Sequence, residues 1–101
     1  MRKLFEKFDL TGKTALITGA AGLLGVEHAT ALLESGASAV LTDIDEASLS
    51  MAREKLSANA ESARVLTHVM DVSQPGSIKT VASDIETKGM RIDILVNNAA
   101  I

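Results

Sequence analysis

Apolar runs too short to be helices alternate regularly with amphipathic stretches too long to be turns, and this alternation limits the chain to few folds. The runs are Thr14-Ala15-Leu16-Ile17-Thr18, Ala39-Val40-Leu41-Thr42, Val65 to Met70 and Ile92 to Val96. Each is bounded by Gly, Asp or Asn, which reads as a buried strand followed by a turn. Between them lie three helical stretches. From Leu24 to Ser35, Val26, Ala29, Leu32 and Leu33 share one face and Glu27, His28 and Glu34 the other, with Gly36 placed to end the helix. From Ala47 to Ser57 the stripe is Leu49, Ala52 and Leu56, capped by Asp45. The third begins near Ser73-Gln74-Pro75, with Ser73 as expected cap, Pro75 in the first turn and Ile78, Val81, Ala82 and Ile85 as stripe, and Gly89 stops it.

The order β-α-β-α-β-α-β predicts an α/β fold, a parallel sheet covered by helices. At 101 residues and 47% hydrophobic content the chain has room for one domain with a packed core. Lys and Arg total 10 against 13 acids, scattered, for a net charge of -3, so no nucleic-acid partner is expected. No apolar stretch approaches the roughly 20 residues of a membrane helix, and Met1 to Leu10 lack the apolar core of a signal peptide. Cysteine is absent, which removes disulfides and thiolate chemistry and is compatible with the cytoplasm.

The first strand runs directly into Thr18-Gly19-Ala20-Ala21-Gly22-Leu23-Leu24-Gly25, and a helix follows. Gly19 permits a tight turn out of the strand. Gly22 allows backbone to approach a pyrophosphate, and Gly25 lets helix and sheet pack closely. The helix start then offers free N–H groups and the positive end of its dipole to an anion. A P-loop is excluded, because Val26-Glu27 follows Gly25 where Lys and Ser or Thr would be needed. Asp43 ends the second strand, where a carboxylate accepts the hydroxyls of an adenosine ribose and repels a 2′-phosphate. With Ile44 and Asp45 after it and no Arg or Lys nearby, NAD is expected over NADP.

Asp71-Val72 closing the third strand and Asn97-Asn98-Ala99-Ala100 closing the fourth complete a set of four motifs in register. With the glycine loop and Asp43, this set resembles the short-chain dehydrogenase/reductase family over nearly the whole chain, from Leu10 to Ile101. The resemblance implies a Rossmann-type doubly wound parallel sheet, here partial, with strand order 3-2-1-4. It implies an oxidoreductase that passes a hydride between NAD and an alcohol or carbonyl. The cofactor-binding residues implied are Gly19, Ala21, Gly22, Leu24, Gly25, Asp43, Asp71, Val72, Asn97, Asn98 and Ala99. Asp71 would meet the adenine amino group and Val72 its ring, while Asn98 is the expected cofactor contact and Asn97 the more structural of the pair. Leu23 departs from the glycine usual in the compact branch of the family, and the glycine spacing matches the longer branch that includes nucleotide-sugar epimerases. An NAD-dependent epimerase or dehydratase and a non-catalytic nucleotide-binding fragment are therefore the alternatives.

The family's catalytic Ser, Tyr and Lys lie beyond the fourth strand, and no Tyr occurs in this sequence. Residues 1–101 are thus expected to be the dinucleotide-binding portion of one domain, without its catalytic part, and no catalytic residue is assigned. The full-length form is expected to act on a small-molecule alcohol or carbonyl and to form a homo-oligomer. His28 and His68 show no ligand spacing with carboxylates, so no metal site is expected. Thr18 is read as a loop-bracing hydroxyl rather than a nucleophile.

Overall fold

The structure, a computed structural model, describes residues 9–58 and 64–98. Strands β1 (Thr14–Thr18), β2 (Ser38–Asp43), β3 (Val65–Val69) and β4 (Ile94–Asn97) alternate with helices α1 (Leu23–Glu34), α2 (Glu46–Ser57) and α3 (Pro75–Thr87). All pairings are parallel and the strand order is β3-β2-β1-β4, the expected one. In register, Leu16 lies between Val40 on one side and Leu95 on the other. Parallel neighbours need crossover connections, and the three helices supply them.

Two cores flank the sheet. On one face Ile17, Leu41, Val65, Leu33, Leu49 and Leu56 pack with Ala29, Ala39 and Ala52, which joins α1 and α2 to the strands. On the other face Val40, Met70, Val81 and Ile85 form a smaller cluster under α3, edged by Leu16, Leu66, Met90 and Ile92. The first two helices therefore share one face and the third lies alone on the other, as right-handed crossovers require once the chain reverses direction to reach β4.

The helix ends show which local signals operate. Asp45 caps α2 by accepting from the N–H groups of Ala47 and Ser48 at 3.1 and 3.4 Å. Gly36, with φ 100°, ends α1. Arg64 adds a tie that local patterning does not announce. Its Nη2 donates to the carbonyls of Leu33 at 2.6 Å and Ala37 at 2.7 Å, satisfying an acceptor in the last turn of α1.

Several expectations shift. Ser73 does not cap α3: the N-cap is Gln74, and Ser73 turns back to bond Asp71. In the α3 stripe Val81 and Ile85 are buried, but Ile78 and Ala82 are exposed, because α3 meets the sheet along one narrow line without a helix beside it. β3 stops at Val69, so Asp71 lies in the connection to α3. Met70 N–H still reaches the Asp43 carbonyl at 2.9 Å, and the chain then turns through the bond from Gln74 N–H to the Asp71 carbonyl. β4 starts at Ile94 rather than Ile92. Asp93 precedes it as a clasp, donating its N–H to the Thr14 carbonyl and accepting Thr14 N–H on its carboxylate at 3.0 Å.

Candidate functional site

All four strands point their carboxyl ends toward one cleft of about 490 Å³, lined by Gly19, Gly22, Leu23, Leu24, Asp43, Ile44, Met70, Asp71, Val72 and Asn98. It lies where the strand order reverses between β1 and β4, the place where open α/β sheets leave a crevice between diverging connections.

The floor is the turn from β1 into α1. Gly19 has φ 61°, a left-handed conformation that side chains disfavour, and this lets the chain leave the strand abruptly. The Ala20 N–H donates to the Thr42 carbonyl at 3.0 Å, which holds the turn against β2. Gly22 is the N-cap of α1, in extended backbone (φ -75°, ψ 166°). Val26 N–H to the Gly22 carbonyl, at 3.1 Å, opens the helical ladder. The N–H groups of Leu23 and Leu24 precede it and have no partner within the helix.

The glycines differ in what confines them. A Cβ on Gly25 would lie 2.6 Å from Ala20 Cα and 2.7 Å from the Gly19 carbonyl oxygen, so helix and turn touch through backbone. A Cβ on Gly22 would meet only the Gly19 carbonyl oxygen, at an ordinary 3.7 Å. Folding demands glycine at 25. Neither conformation nor packing demands it at 22, on the lip of the cleft.

One wall carries the acid that ends β2. Asp43 Oδ2 accepts from Ala21 N–H and Oδ1 from Asp45 N–H, both at 3.2 Å. These bonds fix the carboxylate beside the turn that leads into α1 and leave each oxygen a further lone pair. Capping of α2 falls to Asp45, whose carboxyl is held below the usual aspartate range chiefly by the Ser48 hydroxyl, so Asp43 is not consumed by that role. Beside it, after the neighbouring strand β3, stands the wall Met70-Asp71-Val72. Asp71 Oδ1 accepts from Ser73 Oγ at 2.6 Å and Ser73 N–H at 2.9 Å, which lowers its pKa, and its own N–H donates to Ser77 Oγ at 3.0 Å.

Thr18 and the asparagines close the fourth side. Thr18 Oγ1 donates toward Asn97 Oδ1 at 3.1 Å and accepts Asn98 N–H at 3.0 Å, bracing β1 to the end of β4. Asn98 Nδ2 reaches the Gly19 carbonyl at 3.5 Å.

Gly19, Gly22, Leu24, Asp43, Asp71, Val72 and Asn98 of the expected set thus come together on the cleft. Ala21, Gly25 and Asn97 stand just behind it: Ala21 spends its N–H on Asp43, Gly25 is buried against the turn, and Asn97 takes the Thr18 hydroxyl. Ala99 lies outside the described residues. Leu23, Ile44 and Met70 were not singled out as contacts, though each adjoins a residue that was. Leu23 and Ile44 are also among the exposed large apolar side chains, a pattern that sequence signals only as apolar residues in turns.

Neither histidine borders the cleft. His28 is half-buried rather than outward-facing, flanked at helical spacing by Leu24 and Leu32, and its Nδ1 has no hydrogen-bond partner among the described residues. His68 pairs through Nε2 with Asp84 at 2.7 Å. No metal-binding cluster of three or more such groups occurs among the described residues. Nor is any helix there long and apolar enough to cross a membrane.

Comparison with known proteins agrees with this geometry. The family model described as short chain dehydrogenase matches residues 13–101. An NAD-dependent glycerol dehydrogenase of Listeria innocua is 35% identical over 100 residues, which cover 98% of this chain and 37% of that protein. The crystal structure of 2-keto-3-deoxy-D-gluconate dehydrogenase from Streptococcus agalactiae superposes with a TM-score of 0.87 at 34% identity, covering 99% of this chain and 37% of that one. The N-domain of a bacterial malonyl-CoA reductase, solved with NADP, gives 0.82 at 38% identity over 92% of this chain and 17% of that one. The first curated relatives are spanned over 33%, 54% and 36% of their length.

Proposed function

The chain belongs to the short-chain dehydrogenase family of oxidoreductases, and we propose that its cleft holds NAD for hydride exchange with an alcohol or carbonyl substrate. The observation that carries this reading is Gly22. It is a glycine that neither backbone conformation nor a protein neighbour requires, at a helix N-terminus, facing the cleft. A ligand approaching the backbone closely gives it a reason, and the N–H groups of Leu23 and Leu24 make an anionic ligand the natural one.

The remaining residues divide along the length of a dinucleotide. The pyrophosphate lies over Gly22 and the start of α1. The adenosine ribose hydroxyls donate to Asp43. The adenine lies toward Asp71 and Val72, with Ile44 as the apolar side of its slot. Asn98, at the end of β4, is the contact on the nicotinamide side of the turn. Bound NAD supplies the hydride-accepting ring. The residues described here hold and orient it, and none is assigned as the acid or base that handles the substrate proton. In the whole protein the partners would be a small-molecule alcohol or carbonyl and further copies of the chain.

Preference for NAD rests on charge. A 2′-phosphate would face the fixed Asp43 carboxylate, with Asp45 and Glu46 close behind in sequence and no Lys or Arg among the cleft residues. Calorimetry on the full-length protein tests this directly. NAD should bind at least tenfold more tightly than NADP, about 1.4 kcal/mol. Asp43→Ala combined with Ile44→Arg should narrow or reverse the difference. Equal affinity of the unaltered protein for both cofactors refutes the assignment.

A further inference from the structure

His68 and Asp84 lie outside the cleft, yet they join the two elements between which one wall of it is strung. His68 is on β3, directly before the segment Val69-Met70-Asp71-Val72, and Asp84 is on α3, which that segment enters. The His68 Nε2 lies 2.7 Å from Asp84 Oδ2, and Nδ1 lies 3.0 Å from the Val69 carbonyl oxygen. Both partners are acceptors. A neutral imidazole carries one N–H and satisfies one of them, whereas its other nitrogen then presents a lone pair to an oxygen. Only the imidazolium donates to both.

We propose that His68 is a positioning residue for the cofactor site, whose protonated ring latches α3 to β3 and so steadies the Met70–Val72 wall. The proposal rests on the reading of that wall as the adenine side of an NAD site. α3 needs such a tie because its apolar hold is narrow: Val81 and Ile85 are buried, while Ile78 and Ala82 are exposed. The other anchors of the wall lie at Met70, whose N–H reaches the Asp43 carbonyl, and at Asp71, whose N–H reaches Ser77 Oγ and whose carbonyl accepts Gln74 N–H. His68 and Asp84 grip further along the helix and resist rotation about those anchors.

The sign of the pH dependence follows. Among the described residues the charges acting on the ring are Asp84 and, more weakly and in the opposite sense, Lys88, both at or in α3. The neighbouring strand β2 places non-ionising Thr42 in register with His68. The hydrogen bond to Asp84 leads in raising the His68 pKa above its ordinary 6.5, followed by that to the Val69 carbonyl. The latch is therefore complete below pH 6.5 and is lost as pH rises through the raised value. Asp84 is 53% exposed, so solvent screens the pair, and the expected effect on NAD affinity is modest, roughly two- to fivefold.

The test uses the full-length protein in two arms. In the unliganded arm the imidazole resonance of His68, identified by its loss in His68→Gln, is titrated by NMR. It should titrate above 6.5, and Asp84→Asn should move its midpoint down. Titration at or below 6.5, or a midpoint unmoved by Asp84→Asn, overturns the latch. In the liganded arm the NAD dissociation constant is measured by calorimetry from pH 6 to 9. The unaltered protein should lose two- to fivefold in affinity relative to His68→Gln across that range, and parallel profiles overturn the coupling. Should His68→Gln fail to fold, His68→Asn serves for the assignment and Asp84→Asn takes its place in the liganded arm. Absence of NAD binding at every pH overturns the cofactor reading and the coupling with it, while the unliganded arm still reports whether the latch exists.

Discussion

Replacing Gly22 with valine separates contact with a ligand from contact within the protein. Gly22 sits in extended backbone (φ -75°, ψ 166°), a region comfortable for a β-branched residue. Its Cβ would meet one oxygen at van der Waals distance, so no steric cost arises in the folded chain. Valine is a poorer N-cap than glycine by up to about 1 kcal/mol, offset by about 0.4–1 kcal/mol from the stiffer unfolded chain. Stability should therefore stay within about 1 kcal/mol of the unaltered protein. NAD affinity should fall at least tenfold, about 1.4 kcal/mol, because the side chain stands where the pyrophosphate must approach. Gly25→Ala is the counter-experiment. Its Cβ meets Ala20 Cα, the Gly19 oxygen and the Ala20 carbonyl carbon at 2.6, 2.7 and 2.9 Å, all backbone. Overpacking of this kind costs about 1–3 kcal/mol, only partly offset by the roughly 1 kcal/mol helix preference of alanine. Urea denaturation and calorimetry on both variants decide the matter. Retention of NAD affinity by Gly22→Val, or a stability loss there as large as that of Gly25→Ala, refutes the division of roles.

Arg64→Ala should destabilise the protein by about 1.5–3 kcal/mol, because it removes charge-assisted bonds to the Leu33 and Ala37 carbonyls; an unchanged urea midpoint would show that water replaces the guanidinium without loss. Asp45 caps α2 in its charged form and its pKa is depressed below 3.8, chiefly by the Ser48 hydroxyl. Its contribution is present above 3.8 and lost as pH falls through the depressed value, so Asp45→Asn, which caps at every pH, should flatten that part of the acid unfolding profile followed by circular dichroism.

The sheet was legible in the sequence because each strand is an apolar run closed by a turn residue, and the strand order is the expected one. Leu49, Ala52 and Leu56 lie buried as their helical spacing indicates. What escaped were features decided by partners outside an element's own repeat. Ser73 has the chemistry of a cap, but Asp71, two residues back, offers its hydroxyl and N–H a charged acceptor. Ile78 and Ala82 have the spacing of a buried stripe, yet burial needs a neighbour, and α3 lies alone on its face of the described sheet. Nothing in the local sequence announces the partners that the fold gives Arg64 and Asp84, at α1 and at His68. On the cleft the glycine and acid positions were legible because a tight turn at Gly19, close helix packing at Gly25 and a carboxylate at a strand end leave residue-type requirements. The apolar rim of Leu23, Ile44 and Met70 was not, since lining an open cleft leaves none.

The two walls of the cleft are consequently built to different standards of rigidity. The side proposed for phosphate rests on α1, which Gly25 lets lie in backbone contact with the turn and which shares the larger core with α2. Close-packed backbone of this kind has little freedom to adjust. The side proposed for adenine hangs between β3 and α3 over the smaller core of Val40, Met70, Val81 and Ile85. There polar ties replace apolar area: Met70 to Asp43, Asp71 to Ser77 and Ser73, and His68 to Asp84. Polar ties of modest strength yield to pH and to substitution where a packed core does not. Variation in cofactor affinity among otherwise folded variants should therefore arise from the β3–α3 side, while changes on the α1 side should tell first on stability unless, like Gly22→Val, they enter the cleft itself.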